Sequence, residues 1–262
     1  MSLDPSTIDA LAGRILSAQD HARTMAKLTD EYPTMTIADA YAVQRQLARR
    51  WQARGERIIG LKAGLTSRAK MEQMGIDVPS FGILSNTMAR PENSAIEFAE
   101  LVHPRVEAEI AVVTRHRLGG TGLTLHDIVD AMDFVIPAIE VIDSRYEKFK
   151  FDLVSVIADN GSAARYVTGG RPRDPREIDL RLVGVVIEKN GVIQAVGAGA
   201  AVLNHPFNAV IRLVEHLAAQ GEDVPAGTLV LTGGITAAIP VAAGDSIVAR
   251  FQDMGSVSVR FA

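Results

Sequence analysis

The sequence predicts a mixed α/β protein: a bent, mixed β-sheet or roll with an N-terminal helical region and peripheral helices. Three observations carry this. Residues 1–55 show apolar side chains spaced at a helical period. After Gly55 the chain turns to short β-rich runs punctuated by Gly, Pro and Asn-Gly. Those runs do not alternate regularly with long helices, which argues against a doubly wound parallel sheet. We therefore divide the chain into a helical region, 1–55, and one β-roll unit, 56–262.

Taken in order, Ile8, Leu11 and Ile15 follow a period near 3.6. Thr36-Ile-Ala-Asp39 has the form of a capping box and opens a second helix, whose Ala40, Val43, Leu47 and Trp51 make one apolar stripe. Arg45, Arg49 and Arg50 fall away from that stripe as a solvated face. Expected strands are 58–61, 106–113, 135–142, 182–188, 192–196, 228–232, 246–251 and 256–261. Asn190-Gly191 separates two of them and predicts a tight hairpin, because both residues accept the positive φ of a type I′ turn. Ser67 is expected to cap a short helix ending before Gly75. Thr124 with Asp127 opens another, and a longer helix runs from Pro206 to Gln220 and closes at Gly221.

At 262 residues the chain is long enough to bury one sizeable core. It has no cysteine, which excludes disulfides, thiolate catalysis and thiolate metal ligation. A net charge of −4 argues against nonspecific nucleic-acid binding, and Arg49-Arg50 and Arg171-Pro-Arg173 are too short to change that. Met1-Ser-Leu-Asp-Pro5 lacks the basic start and apolar core of an export signal. No apolar run approaches the roughly 20 residues of a membrane span. A soluble cytoplasmic protein is the expectation.

Chemistry concentrates in Glu107-Ala-Glu109, set among Val106, Ile110, Val112 and Val113, and in Glu140, enclosed by Phe134, Val135, Ile136, Ile139, Val141 and Ile142. In a strand, residues i and i+2 share a face, so two carboxylates point together into apolar surroundings. On an edge strand Glu-x-Glu is simply a solvated face. Two observations favour a hard-metal site instead: Glu140 also sits in a buried-type run, and with no Cys and few His only oxygen ligands remain, which suits Mg²⁺ or Mn²⁺.

Lys62 lies between Gly60 and Gly64 at the end of a β-like run, where it can reach a bound anion or an enolate oxygen; a surface lysine on a turn fits the same segment. Asp159-Asn-Gly-Ser162 follows the run from Leu153 to Ala158 and reads as a strand end with an Asx-type turn. Thr232-Gly233-Gly234 is another strand end, whose backbone amides can take a carboxylate. Asp143 and Arg145 are candidates for a pair orienting Glu140. His103 and His205, each before a proline, are more simply structural than acid–base groups.

Together these segments resemble the fumarylacetoacetate hydrolase superfamily, and within it the hydratase and decarboxylase branch of meta-cleavage aromatic degradation. The resemblance runs from about Leu28 to Phe261. It rests on Gly64-Leu-Thr-Ser67, Pro104-Arg-Val-Glu-Ala-Glu109, Glu140-Val-Ile-Asp-Ser-Arg145, Ala158-Asp-Asn160, His205-Pro206 and Gly255-Ser-Val257. No single piece is specific; jointly they are.

The resemblance implies that Glu107, Glu109 and Glu140 bind Mg²⁺ or Mn²⁺, and that the roll is of the fumarylacetoacetate hydrolase C-terminal-domain type. It also implies a homo-oligomer, with a complex with the pathway hydratase as a further expectation. Hydratases of the branch carry Pro-Asp-Phe-Gly where this chain has Pro79-Ser80-Phe81-Gly82, so an acid is missing at Ser80. Segments 69–75, 144–151 and 231–238 look like the decarboxylase members, which act on 2-oxohex-3-enedioate (4-oxalocrotonate). Gly161, commonly Ala in relatives, and Asn204, commonly Gly, are departures.

The expected roles are Lys62 in catalysis, with Ser67, Lys70, Arg145, Asp159, Ser162, Thr232 and Gly234 around a 2-oxo diacid. Arg68, Lys70 and Arg145 are the candidate cations for its distal carboxylate. A hydratase acting on 2-hydroxypenta-2,4-dienoate, an acylpyruvate-type hydrolase and a noncatalytic partner subunit are the alternatives. The hydrolase shares the metal site but needs a positioned water and an acid or base besides.

Overall fold

A computed structural model describes residues 3–67, 71 and 79–262. The helix expected after Ser67, together with Arg68 and Lys70, lies outside the described residues.

Helix α1 (Pro5–Asp20) starts where Asp4 accepts hydrogen bonds from the amides of Ser6 and Thr7, with proline in its first turn. A single turn, α2 (Leu28–Glu31), leads to α3 (Ile37–Ala53), opened by the Thr36/Asp39 capping box. Ala40, Val43, Leu47 and Trp51 are all buried, and α3 packs on α1, whose Leu11 and Ile15 are buried too. Arg50 departs from the solvated-face expectation: its guanidinium pairs with Asp9 at 2.7 Å and ties α3 to α1.

The strands form two sheets. The larger, eight-stranded among the described residues, runs β2 (Ser80–Ser85), β1 (Ile58–Gly64), β10 (Leu229–Leu231), β5 (Arg105–Thr114), β6 (Met132–Ile142), β7 (Ala163–Thr168), β3 (Ala89–Arg90), with β11 (Ile239–Pro240) also on β5. The second runs β4 (Ala95–Ile96), β13 (Gly255–Phe261), β12 (Ser246–Phe251), β8 (Gly184–Lys189), β9 (Val192–Ala198). Pairing is mixed, parallel for β1–β10, β3–β7 and β4–β13 and otherwise antiparallel. β13 crosses against β6 and β7, so Val257 and Val259 close one core with Val135 and Val141. A curled, mixed sheet system with helices outside it is thus the architecture. No described helix is long and apolar enough to cross a membrane.

The hairpin at Asn190-Gly191 forms with φ of +54° and +77° and pairs Lys189 with Val192. Thr124 and Asp127 cap α4 (Leu125–Ala131), and α6 spans Pro206–Ala218. Strands β2, β3, β4, β7 and β11 go beyond the sequence expectation. Three of these have only two residues, and β2 and β7 mix Ser, Gly, Arg and Thr with their apolar residues, so they lack an apolar alternation to read.

One expectation is corrected. The run before Asp159 is a helix, α5 (Leu153–Ala158), because Asp152 accepts from the amide of Ser155 and starts it. Asp159 is therefore a helix C-cap rather than a strand end. A short apolar run has no periodicity of its own, and the cap decided the outcome.

Candidate metal centre and active site

β5 and β6 are central strands, and their register sets Glu107 directly opposite Glu140. Glu109 lies two residues along on the same face, opposite Ala138. The same face continues across the sheet through Ala111 opposite Leu231, Leu231 opposite Lys62, and Lys62 opposite Gly82. Register alone therefore aims Lys62 at the glutamates from two strands away.

Glu107, Glu109 and Glu140 are all buried, at 7%, 0% and 1% exposure, and one carboxylate oxygen from each lies within 4.8 Å of the others. Glu109 Oε2 accepts a 2.8 Å hydrogen bond from the Gly233 amide, while its Oε1 is buried without a partner among the described residues. Lys62 Nζ sits 2.6 Å from Glu140 Oε1 and donates to the Gly161 carbonyl at 3.0 Å.

Burial drives the Glu109 carboxyl well above the ordinary carboxylate range, and the charges of Glu140 and Glu107 push it the same way against Lys62 and the Gly233 amide. Glu140 is also raised, since burial outweighs the attraction of Lys62. Fully ionised, three carboxylates and one ammonium leave a buried net charge of −2, a state that costs several kcal/mol or forces protonation. A divalent cation neutralises it. An all-oxygen donor set with an unpartnered buried oxygen fits a hard cation such as Mg²⁺.

The glycine pair at 233–234 serves this centre by close approach. A Cβ on Gly234 would lie 2.8 Å from Glu107 Cδ and 3.0 Å from both its oxygens. Gly233, at φ +109°, would put a Cβ 2.1 Å from Thr66 Oγ1. Replacing Gly234 by alanine is expected to displace the Glu107 carboxylate and weaken Mg²⁺ binding about tenfold. Isothermal titration calorimetry reads this directly, and an unchanged Kd would rule out the close approach as a requirement.

The other anticipated residues divide. Thr232 is buried, and its hydroxyl donates to the Ile110 carbonyl. Ser162 is buried with a positive φ of +59°, and its Oγ has no hydrogen-bond partner among the described residues. Ser67 bridges to Val202 and lines a cleft with Asn204, Asn208, Arg212 and Glu215 that none of the three glutamates lines.

Arg145 and Asp159, anticipated near the substrate, are paired with each other. The Arg145 Nε donates to Asp159 Oδ1 at 2.5 Å, Nη2 to the Asp159 carbonyl, and Nη1 to the carbonyls of Asp143 and Ala163. The pair is buried, and Nε, Nη1 and Nη2 of Arg145 all donate within the protein. Burial outweighs Arg145 and pushes the Asp159 carboxyl up to about 6. The Asp143 carboxylate accepts instead from the amides of Val102 and His103, so the anticipated Asp143–Arg145 pair behind Glu140 does not form between side chains.

His205 caps α6, its Nδ1 accepting from the Phe207 amide, and burial lowers its pKa. The Gly161 carbonyl that holds Lys62 is not among the anticipated site groups: a main-chain acceptor leaves no side-chain signature, and the sequence marks Asp159 to Ser162 only as a turn.

No protein-family model matches the chain. It is 52% identical over 260 residues to a 4-oxalocrotonate decarboxylase of Pseudomonas putida, covering 99% of this chain and 98% of that one. It is 36% identical to a 2-hydroxyhexa-2,4-dienoate hydratase of Comamonas testosteroni, covering 98% of each. Among solved structures it matches 4-oxalocrotonate decarboxylase from Pseudomonas putida G7, complexed with magnesium and adipate, with a TM-score of 0.97, 52% identity and 99% of both chains covered.

Proposed function

The chain belongs to the family of 4-oxalocrotonate decarboxylases and their hydratase relatives, and from that premise we propose that it removes CO₂ from 2-oxohex-3-enedioate to give 2-hydroxypenta-2,4-dienoate, a step of meta-cleavage aromatic degradation. It is a Mg²⁺-dependent carboxy-lyase. The observation that carries this is a buried three-carboxylate centre with one lysine in contact, in a chain that matches a decarboxylase along its whole length.

Glu107, Glu109 and Glu140 are the residues that would hold Mg²⁺, with Mn²⁺ as the alternative ion. When bound, the ion supplies a Lewis acid for the 2-oxo end of the substrate. The chain contributes the rest. In the reaction the bond from C5 to the distal carboxylate breaks, its electron pair forms C4=C5, the C3=C4 pair moves to C2–C3, and negative charge arrives on the C2 oxygen. One proton then completes the dienol. Lys62 carries a fixed positive charge to where that charge develops, oriented by Glu140 and the Gly161 carbonyl. The apolar strand residues around the triad exclude water and strengthen that attraction.

The assay is absorbance and CO₂ release with 2-oxohex-3-enedioate, using metal-stripped protein before and after Mg²⁺. Lys62→Met is expected to lower kcat about 100-fold while Mg²⁺ still binds. Native hydration of 2-hydroxypenta-2,4-dienoate without CO₂ release would instead favour the hydratase reading. Against that reading stands Ser80, buried opposite Gly64 on the Lys62 face, which offers a hydroxyl where hydration calls for an acid.

The same reading takes residues 56–262 as a catalytic roll of the fumarylacetoacetate hydrolase C-terminal-domain type, with 1–55 as its helical region. It takes the protein as a cytoplasmic homo-oligomer that associates with the pathway hydratase. Light scattering alone and with that hydratase tests the assembly.

A further inference from the structure

Three consecutive residues, Asn160, Gly161 and Ser162, take φ of +54°, +61° and +59°. Two of them are not glycine, and L side chains rarely adopt this region. Such a conformation persists only where its surroundings hold it, and here the holding groups are explicit. Asn160 forks onto β2, donating from Nδ2 to the Ile83 carbonyl and accepting at Oδ1 from the Ile83 amide, each at 2.8 Å. Behind it the Asp159 carbonyl accepts from Arg145 and from the Ser162 amide, and the Ser162 carbonyl accepts from the Asp143 amide at 2.8 Å.

The elbow turns the Gly161 carbonyl onto Lys62 Nζ. Ile83 follows Gly82, the residue paired with Lys62 across the β1–β2 ladder. A Cβ on Gly82 would meet Lys62 Cγ at 2.8 Å and the Asn160 carbonyl at 3.0 Å, so the lysine stem is threaded between β2 and the elbow. Among the described contacts, the ammonium meets the neutral Gly161 carbonyl and the Glu140 carboxylate. Without the carbonyl, the ammonium would be drawn further toward the buried carboxylates, where it would compete with a cation for the same oxygens.

We infer that Asn160 is a positioning residue: through the Gly161 carbonyl it holds the Lys62 ammonium at the edge of the glutamate centre, so that lysine and divalent cation occupy the site together. This rests on the glutamate centre proposed above. The test is calorimetric Mg²⁺ affinity, not turnover. Asn160→Gly keeps the left-handed backbone accessible while deleting the fork. It is expected to raise the Mg²⁺ Kd about tenfold, and adding Lys62→Met to it is expected to restore the affinity because no ammonium remains to compete. Should the glycine variant lose its circular-dichroism signature, Asn160→Asp, which keeps the acceptor for the Ile83 amide, is measured in the same pair with the same expectation. An unchanged Kd, or a loss equal with and without Lys62, overturns the inference. Mg²⁺ binding to Glu109→Gln as tight as to the parent would instead bring down the glutamate centre itself, and the inference with it.

Discussion

Glu109→Gln is expected to abolish Mg²⁺-dependent CO₂ release while making the metal-free protein more stable. The loss follows from removing one of the three oxygen ligands proposed for Mg²⁺, whose Lewis acidity is worth several kcal/mol of transition-state stabilisation, or about a thousandfold in kcat/KM. The gain follows from burial. Glu109 is fully buried, and its carboxyl is raised well above 4.5 by desolvation and by Glu140 and Glu107. A raised pKa means the folded protein binds the proton more tightly than the unfolded chain. Stability is therefore full below about 4.5, the unfolded value, and is lost as pH rises through the folded value. Glutamine resembles the protonated acid in shape and never pays that cost. Thermal melts in a chelator from pH 5 to 8 should show the parent falling with pH and the variant falling less. Parallel curves would show that Glu109 carries no such penalty.

Arg145→Leu is expected to cost about 3–5 kcal/mol of folding stability without touching a metal ligand. The variant strands Asp159, which is fully buried, and strips donors from the carbonyls of Asp143, Asp159 and Ala163. With Arg145 present the Asp159 carboxyl already stands near 6, above its ordinary 3.8, so it favours folding most below 3.8 and loses that contribution as pH rises through 6. Without Arg145 the loss extends to higher pH. Urea denaturation at pH 5 and pH 8 reads both effects, and the Asp159→Leu/Arg145→Leu double variant should recover much of the stability. A cost below about 1 kcal/mol would mean the pair is dispensable.

These two sites differ in how far they were legible. Glu107, Glu109 and Glu140 stand out because strand periodicity puts i and i+2 on one face and apolar neighbours mark that face as buried. Arg145 and Asp159 carry equally strong side chains, yet neither reveals that its partner is the other. They are fourteen residues apart across a helix that the sequence presented as an extended run, and the cap at Asp152 that makes the helix competes with that run's β-like character.

What the sequence by itself determined is the local part: the caps at Thr36 and Thr124, the stripe on α3, the Asn190-Gly191 turn, the strands β5 and β6, and the carboxylates on their shared face. Each depends on backbone preferences and spacings within a few residues. Only the tertiary structure decided that Lys62 meets Glu140, that Gly234 leaves room for Glu107, and that the Asn160 elbow presents a carbonyl to the lysine. Those contacts depend on register between strands and turns distant along the chain. That register is set by how the whole apolar core packs, a sum over many weak contacts that no single segment encodes.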